Sequence, residues 1–265
     1  MAASLFFISC KKEKTPTEKN VIAEKVPEKF IVDSVLVEDS AKISDKLGLS
    51  YHSEVLIYPS IKDKPLLDSI YFMYKGISNY SEKGVEDFLQ KDRTKYFDET
   101  KKQSKVWISD LGYHQNWYTS FKMKQISHQN DFLQIEYLSA AYQGGAHDNY
   151  WFSNRVFDLK NEKKLVLSDI TTMPNAKLSQ ILRKNLDKKP SGTTDSKGDV
   201  NNSKMLLVEV IEPNENFYFD DKNLYFHYSP YEIAAFAAGD IVIPVSWQDL
   251  KGTLKPEFIS RLKIN

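Results

Sequence analysis

Apolar and polar residues alternate with a period of two through the middle of the chain. In residues 117–123, Trp117, Thr119, Phe121 and Met123 share one face, and residues 133–137 and 149–159 repeat the pattern. Such alternation, interrupted by turn residues, indicates antiparallel strands with one solvated face. Further apolar runs predict strands at 30–37, 49–58, 206–210, 224–228 and 241–244.

Two segments instead place apolar residues three and four positions apart, which predicts amphipathic helices over residues 81–102 and 176–186. Asn175 is the expected N-cap of the second helix. Shorter helices are predicted at 66–74 and 246–250, and a polar loop at 189–203. The inward positions are Val85, Phe88, Leu89, Tyr96 and Phe97 in the first helix and Leu178, Ile181, Leu182 and Leu186 in the second. We therefore predict an α+β fold in which antiparallel sheets carry the two main amphipathic helices on one face.

Composition narrows the classes of function. The chain has 265 residues, with 36 basic and 36 acidic side chains and a net charge of zero, which gives no electrostatic reason to expect nucleic-acid binding. No phosphate-binding loop, dinucleotide fingerprint or nucleophile motif is present. The five histidines show no metal-ligand spacing; they are His52, His114, His128, His147 and His227. We expect no metal, no cofactor and no enzymatic activity.

The single cysteine, Cys10, follows an apolar run and a small residue, Ser9, and precedes a charged segment. This arrangement resembles the lipobox of bacterial lipoproteins, which implies a lipid on Cys10 as the mature N-terminus. Residues 1–9 are then a truncated lipoprotein signal, and we expect translation to start upstream. Residues 10–28 are polar enough to form a flexible tether. The resemblance implies attachment to a membrane of the bacterial cell envelope, on the periplasmic side or at the surface.

A series of short motifs carries a second resemblance, to the PdaC/RsiV-like family. The motifs are Tyr142-Gln143-Gly144-Gly145-Ala146-His147, Leu165-Val166-Leu167-Ser168-Asp169-Ile170, Asn216-Phe217-Tyr218, Leu224-Tyr225-Phe226, Ser229-Pro230-Tyr231-Glu232-Ile233-Ala234, Ala238-Gly239 and Ile243-Pro244. The family pairs a segment found in a peptidoglycan deacetylase with one found in a lysozyme-binding anti-sigma factor. The resemblance implies a PdaC-like part at 29–138 and an RsiV-like part at 139–265. The chain departs from the family's EIAPYA motif, because Ala235-Phe236-Ala237 follows Ala234.

Two turns supply most of the candidate binding residues. In the first, Gly144 and Gly145 either let a ligand approach the backbone beside His147 and Asp148 or only provide the positive φ that a tight turn requires. In the second, the carboxylate of Glu232 either faces a ligand or holds its own turn through backbone N–H groups. Tyr142 and Tyr231 are candidates as members of these two turns. A further set of aromatic residues is suited to stacking on sugars or anchoring a protein but is equally common in strands, and of this set Trp151 is a candidate binding residue: Trp107, Trp117, Tyr118, Tyr150, Trp151 and Phe152.

Three functions remain open from the sequence. The leading hypothesis is a lipid-anchored, non-catalytic envelope protein that binds a cell-wall component or a wall-degrading enzyme such as lysozyme. The second is a glycan or peptidoglycan hydrolase or deacetylase that uses His147, Asp148 and Glu232. The third is an assembly partner of another envelope protein, which would require an exposed apolar patch.

Overall fold

The large sheet of the fold holds six strands in chain order. A computed structural model describes residues 30–263, of which residues 31–263 belong to one compact unit; Cys10 and the predicted tether lie outside the described residues. The strands of the sheet are β1 (Asp33–Ser44), β2 (Leu47–Ile57), β3 (Gln115–Gln129), β4 (Phe132–Tyr142), β5 (Asn149–Asp158) and β6 (Lys163–Lys164). The predicted boundary between residues 138 and 139 falls inside β4, so both predicted parts contribute to this sheet.

The α+β prediction is confirmed, although one strand pair is not antiparallel. β2 and β3 are parallel, and the other neighbouring pairs in the sheet are antiparallel. The reason is the connection between β2 and β3, which contains α1 (Lys64–Ile70) and α2 (Glu82–Ser104). A crossover of this length carries the chain back to the end of the sheet at which β2 began, so β3 runs in the same direction as β2.

The crossover helices begin at side-chain caps and pack against the large sheet. Asp63 accepts a hydrogen bond from the N–H of Leu66 at the start of α1, and Ser81 accepts one from Gly84 at the start of α2. α2 lies against β1 and β2. The buried Tyr137 of β4 donates to the carbonyl of Ile70, 2.8 Å away, and so fixes α1 on the same sheet.

A second, three-stranded sheet forms the C-terminal part of the fold. It consists of β9 (Phe217–Phe219), β10 (Asn223–Tyr228) and β11 (Ile241–Ser246), all antiparallel. Preceding it are α3 (Leu167–Ile170), α4 (Asn175–Asn185) and a small hairpin of β7 (Thr194–Asp195) and β8 (Gly198–Asp199), which lies in the predicted polar loop. α4 packs on β11 whereas α2 packs on the large sheet, so the two main helices cover different sheets.

Three local predictions were wrong. Asn175 is the first residue of α4 and Pro174 is its N-cap. Residues 206–210 make only one isolated bridge, Leu206 to Ala234, because no neighbouring strand pairs with the rest of the run. Residues 246–250 form a strand end and turns, and the true last helix of the described chain is α5 (Pro256–Leu262).

The second sheet is joined to the large sheet through side chains that pair with strand backbone. The amide of the buried Gln134 in β4 accepts from the N–H of Phe219 and donates to its carbonyl, at 2.8 and 2.9 Å. On β5, the N–H of Phe152 donates to the hydroxyl of Ser229 at 2.9 Å. The bond from Phe152 satisfies a backbone group that β5, an edge strand at this point, would otherwise expose. Among the helices of the described chain, none is both long and apolar enough to cross a membrane.

Candidate functional site

Two turns that are distant in sequence meet at one end of the large sheet. The first, residues 143–148, connects β4 to β5, and the second, residues 231–238, lies between β10 and β11. The imidazole of His147 stacks on the ring of Phe236, with centroids 3.7 Å apart and planes at 15°. The hydroxyl of Tyr231 lies 3.3 Å from Nε2 of His147. The two candidate turns of the sequence therefore form one surface.

We call the surface made by His147, Tyr150, Tyr231 and Phe236 the His147 cluster. The ring of Phe236 is its centre: Tyr150 meets it edge-on with centroids 5.7 Å apart, and Tyr231 lies 5.6 Å away on a tilted plane. Tyr231 is 57% exposed, His147 is exposed, and the other two rings are partly buried. The cluster thus presents aromatic surface to solvent from a base of packed rings.

Hydrogen bonds fix the orientation of His147 and of its neighbour. Nδ1 of His147 lies 2.7 Å from the carbonyl oxygen of Asp148. A carbonyl oxygen only accepts, so Nδ1 carries the proton, and Nε2 of the neutral ring accepts from the hydroxyl of Tyr231. The carboxylate of Asp148 accepts from the hydroxyl of Tyr118 on β3, 2.6 Å away. Both side chains are therefore oriented by partners outside their own turn.

The two glycines of the first turn have the backbone conformation that the structural interpretation requires. Gly144 and Gly145 have φ values of 89° and 116°, which residues other than glycine rarely adopt. A Cβ on Gly144 would also lie 3.3 Å from Oε1 of Gln115 and 3.4 Å from Cζ2 of Trp117. The hydroxyl of Tyr142 donates to the carbonyl of Gly145 at 3.2 Å. These residues shape the turn; contact with a ligand stays a prediction.

Glu232 holds its own turn, as one of the two interpretations of the sequence proposes. Its carboxylate accepts a hydrogen bond from the N–H of Ser229 at 2.8 Å. Desolvation of the carboxylate where it folds back on the turn raises the pKa of Glu232, and the Ser229 N–H offsets only part of this effect. Glu232 therefore supports the turn that carries Tyr231.

Trp151 lies on the opposite face of the large sheet from Tyr150. Successive residues of a strand point to opposite faces, and Trp151 is the register partner of Ser139 whereas Tyr150 is the partner of Ala140. No hydrogen bond or ring contact of the Trp151 side chain occurs within the described residues. The sheet therefore separates Trp151 from the His147 cluster.

The three side chains of the catalytic hypothesis are each hydrogen-bonded to a different partner. Within residues 30–263, no hydrogen bond joins the ring of His147, the carboxylate of Asp148 and the carboxylate of Glu232 to one another, since each bonds the different partner described above. In the same part of the chain, no group of three or more His, Cys, Asp or Glu side chains could hold a metal ion.

Close to the cluster, a buried polar network was not predicted from the sequence. The side chain of His227 is buried, and its Nε2 lies 2.8 Å from Oδ2 of Asp240. Its Nδ1 lies 2.8 Å from Nδ2 of Asn154, and that same amide nitrogen donates to Oδ1 of Asn216 at 3.0 Å. Oδ1 of Asn216 also accepts a hydrogen bond from the backbone N–H of Asn154 at 2.5 Å. The network links β5 to the second sheet.

The hydrogen bonds of the network assign the donor and acceptor roles of the two ring nitrogens of His227. Asn216 donates through Nδ2 to the carbonyl of Phe152, so its Oδ1 is the acceptor that faces Asn154. Asn154 must therefore present its NH₂ group to His227, whose Nδ1 accepts. The remaining ring nitrogen, Nε2, donates to Asp240, and this hydrogen bond is the main cause that lowers the pKa of the Asp240 carboxyl. The imidazole is thus held in one orientation, with Nδ1 as acceptor and Nε2 as donor, and the ring of Phe152 stacks on it at 4.6 Å.

Asp240 also acts on the cluster. Burial, together with the charges of Asp240 and Asp148, raises the pKa of the Tyr150 hydroxyl. Tyr150 therefore stays protonated at neutral pH, and acidic groups lie behind the aromatic surface. The sequence offered no motif for this network, because Asn154 lies 62 residues before Asn216 and 73 residues before His227.

Comparisons with known proteins find a family match for a segment of the C-terminal part of the chain, and the matched family has no described function. Residues 168–248 match the family model described as "Protein of unknown function (DUF3298)". DUF3298 is the C-terminal domain type of PdaC/RsiV-like proteins, so the match agrees with that part of the resemblance. No curated protein matches the chain.

Two solved structures share the fold. A member of the DUF3298 family from Bacteroides fragilis NCTC 9343 aligns with a TM-score of 0.72 and 20% identity, over 89% of this chain and 98% of the other. A DUF3298 family protein from Pseudomonas aeruginosa PAO1 aligns with a TM-score of 0.55 and 14% identity, over 87% and 97%. Both alignments include the large sheet as well as the matched segment, since the matched segment alone is much shorter than the aligned part.

Proposed function

We propose that this protein is a lipid-anchored, non-catalytic binding protein of the bacterial envelope. Its target is a cell-wall component or a wall-degrading enzyme such as lysozyme. The resemblance of residues 139–265 to a lysozyme-binding module and the lipobox-like sequence at Cys10 support the proposal. The structural observation that carries it is the His147 cluster, where both candidate turns meet and expose aromatic rings.

The His147 cluster has the properties of a protein-binding anchor. Tyrosine is enriched among residues that dominate interface energies, and an anchor held in place before binding loses less entropy. Tyr231 is exposed, yet its hydroxyl bonds His147 and its ring lies against Phe236. The ring is therefore presented in a defined orientation.

The charges around the cluster favour a basic partner. The carboxylate of Asp148 lies in the first turn, that of Glu232 in the second, and Asp240 lies behind Tyr150. Interactions between exposed charges weaken with added salt because the Debye length falls. We expect the association rate to fall as ionic strength rises.

Titration calorimetry with the exported, purified protein tests the proposal. We expect saturable binding to lysozyme or to soluble muropeptides, and at least about tenfold weaker binding of lysozyme by the Tyr231→Ala variant, as for an interface hot spot. Tyr113→Ala is the matched control, because Tyr113 is 66% exposed and lies outside the cluster. Absence of binding to both classes, or equal lysozyme binding by Tyr231→Ala and the natural protein, contradicts the proposal.

A further inference from the structure

A groove between the two sheets is separate from the His147 cluster. One wall is the β3–β4 hairpin, with Ile126, Gln129 and Asn130, and the other wall carries Tyr218 and Tyr225 of the second sheet. Its volume is about 690 Å³, within the range of roughly 300–1,000 Å³ typical of small-ligand sites. The groove is therefore large enough to receive a ring-sized ligand.

The two tyrosines form one aromatic wall. Tyr218 and Tyr225 are register partners on β9 and β10, and their rings stack with centroids 4.9 Å apart and planes at 13°. Tyr225 has two further contacts. Its hydroxyl donates to Asp220, and the Nζ of Lys189 lies 4.9 Å from its ring centroid. Tyr218 makes no ring contact other than with Tyr225 within the described residues. One face of Tyr218 is thus left for a ligand.

The hydroxyl of Tyr218 is also available. It has no hydrogen-bond partner among residues 30–263. Burial, with smaller contributions from the charges of neighbouring groups, raises the pKa of Tyr218 to about 12, so the hydroxyl is a donor at neutral pH. A partly buried donor without a partner gains a hydrogen bond when a ligand supplies an acceptor.

Uncharged amides and a carboxylate surround this aromatic face. The side chains of Gln129, Asn130 and Asp221 line the groove and make no hydrogen bond within the described part of the chain. Ile126 adds apolar surface. The walls are fixed relative to each other, because the buried Gln134 bonds the hydroxyl of Ser127 as well as the backbone of Phe219. The groove therefore exists before a ligand arrives.

We propose that this groove binds a saccharide, with one pyranose ring stacked on Tyr218 and its hydroxyl or amide substituents bonded by Gln129, Asn130 and Asp221. A pyranose has an apolar C–H face and a rim of donors and acceptors, which matches one aromatic face inside a polar rim. Asp220 and Asp221 outnumber Lys189, the one cation that the described residues contribute to the lining, and therefore disfavour a phosphate or carboxylate ligand. A wholly apolar ligand is also disfavoured, because it would displace water from these polar side chains without replacing the lost hydrogen bonds.

Binding of neutral oligosaccharides by the full-length protein tests this inference. The probes are tetra-N-acetylchitotetraose and cellotetraose, monitored by shifts of backbone amide signals in ¹H–¹⁵N spectra. We expect saturable shifts at Gln129 and Asn130 with at least one probe, and about tenfold weaker binding of Tyr218→Ala, equivalent to the loss of one stacking contact. Gln129→Ala, a change on the hairpin that leaves the second sheet intact, should weaken binding as well.

Tyr231→Ala serves as the control, because it changes the His147 cluster and leaves the groove intact. This variant should bind saccharide as the natural protein does, so the groove and the cluster can fail independently. The inference is overturned if neither probe shifts the groove signals, or if folded Tyr218→Ala and Gln129→Ala both bind with unchanged affinity. Shifts confined to residues outside the groove also overturn it.

Discussion

At the scale of single residues, Tyr231 combines exposure with an unfavourable backbone conformation. Its φ is 69°, in the left-handed region, where a bulky side chain is uncommon. Residues held in such conformations cost stability and occur often at functional sites. The conformation is maintained by the turn around it, in which Glu232 bonds Ser229 through both its carboxylate and its N–H. Tyr231 thus gains its orientation at some expense of folding stability.

A pair of substitutions separates this conformational cost from the role of the ring. Both Tyr231→Ala and Tyr231→Gly remove the ring, but only glycine adopts the left-handed region without steric conflict. We expect Tyr231→Gly to have a free energy of unfolding about 1 kcal/mol higher than Tyr231→Ala in urea denaturation. Both variants should lose binding to the target of the His147 cluster. Equal stabilities of the two variants would show that the turn imposes no such cost.

At the scale of elements, α5 shows how a short helix depends on tertiary contacts. Its Phe258 packs against Phe132, Phe219 and Trp247. Its Arg261 bonds the buried carboxylate of Asp158 at 2.5 Å. Burial alone would raise the pKa of Asp158, but hydrogen bonds from Arg261 and Asn161 overcome this effect and lower the pKa. The ion pair therefore contributes stability as long as Asp158 is ionised.

The lowered pKa of Asp158 determines how the stability of the protein changes with pH. Because the pKa of Asp158 is lower in the folded protein, its contribution is fully present above the ordinary value of about 3.9 and is lost as pH falls through the folded pKa. We expect Asp158→Asn to lower the free energy of unfolding at pH 7 by about 3–5 kcal/mol, since Arg261 stays buried without a counter-charge. The stability of Asp158→Asn should also fall less than that of the natural protein as pH drops from about 5 to about 2, because this range contains the ordinary pKa of an aspartate, about 3.9, and extends below it toward the lower pKa of the folded protein.

Urea denaturation at several pH values measures both effects. Asp87→Asn is the control, because Asp87 pairs with Lys83 at an exposed position and its loss should cost no more than about 0.5 kcal/mol. A small loss for Asp158→Asn, similar to that of the control, would show that α5 is held by its aromatic contacts alone.

The sequence predicted elements where the local pattern alone determines them. The positions of β3, β4, β5 and α2 match the structure, because each is a long element with a clear local pattern. The expected solvated face is absent at the start of β4, where residues 132–135 are all buried, because the second sheet covers one face and the crossover helices cover the other. α5 has only seven residues, so its helix depends on Phe258 and Arg261 contacting distant strands. Residues 206–210 have strand composition, but strand formation requires a partner, and Leu207 and Val210 remain exposed.

At the scale of the whole molecule, the candidate sites arise where the second sheet meets the large one. The sequence indicated both turns of the His147 cluster, but not that His147 and Tyr231, 84 residues apart, would touch. The saccharide groove and the His227 network have the same origin, since each pairs residues of β3–β5 with residues of β9–β11. Such long-range pairings depend on how the two sheets dock, which local pattern does not encode.

The proposed anchor leads to a prediction for the whole protein in its cell. If Cys10 carries the lipid, Cys10→Ser should move the exported protein from the membrane fraction to the soluble fraction, because buried acyl chains contribute about 0.8 kcal/mol per methylene. Fractionation combined with metabolic labelling by an alkyne fatty acid measures both the location and the acylation. Ser9→Ala keeps a small residue before Cys10 and should stay labelled and membrane-bound. Because the His147 cluster lies within residues 30–263, soluble Cys10→Ser protein should bind its target with unchanged affinity. Continued labelling of Cys10→Ser in the membrane fraction would contradict the anchor while leaving the binding proposal to its own test.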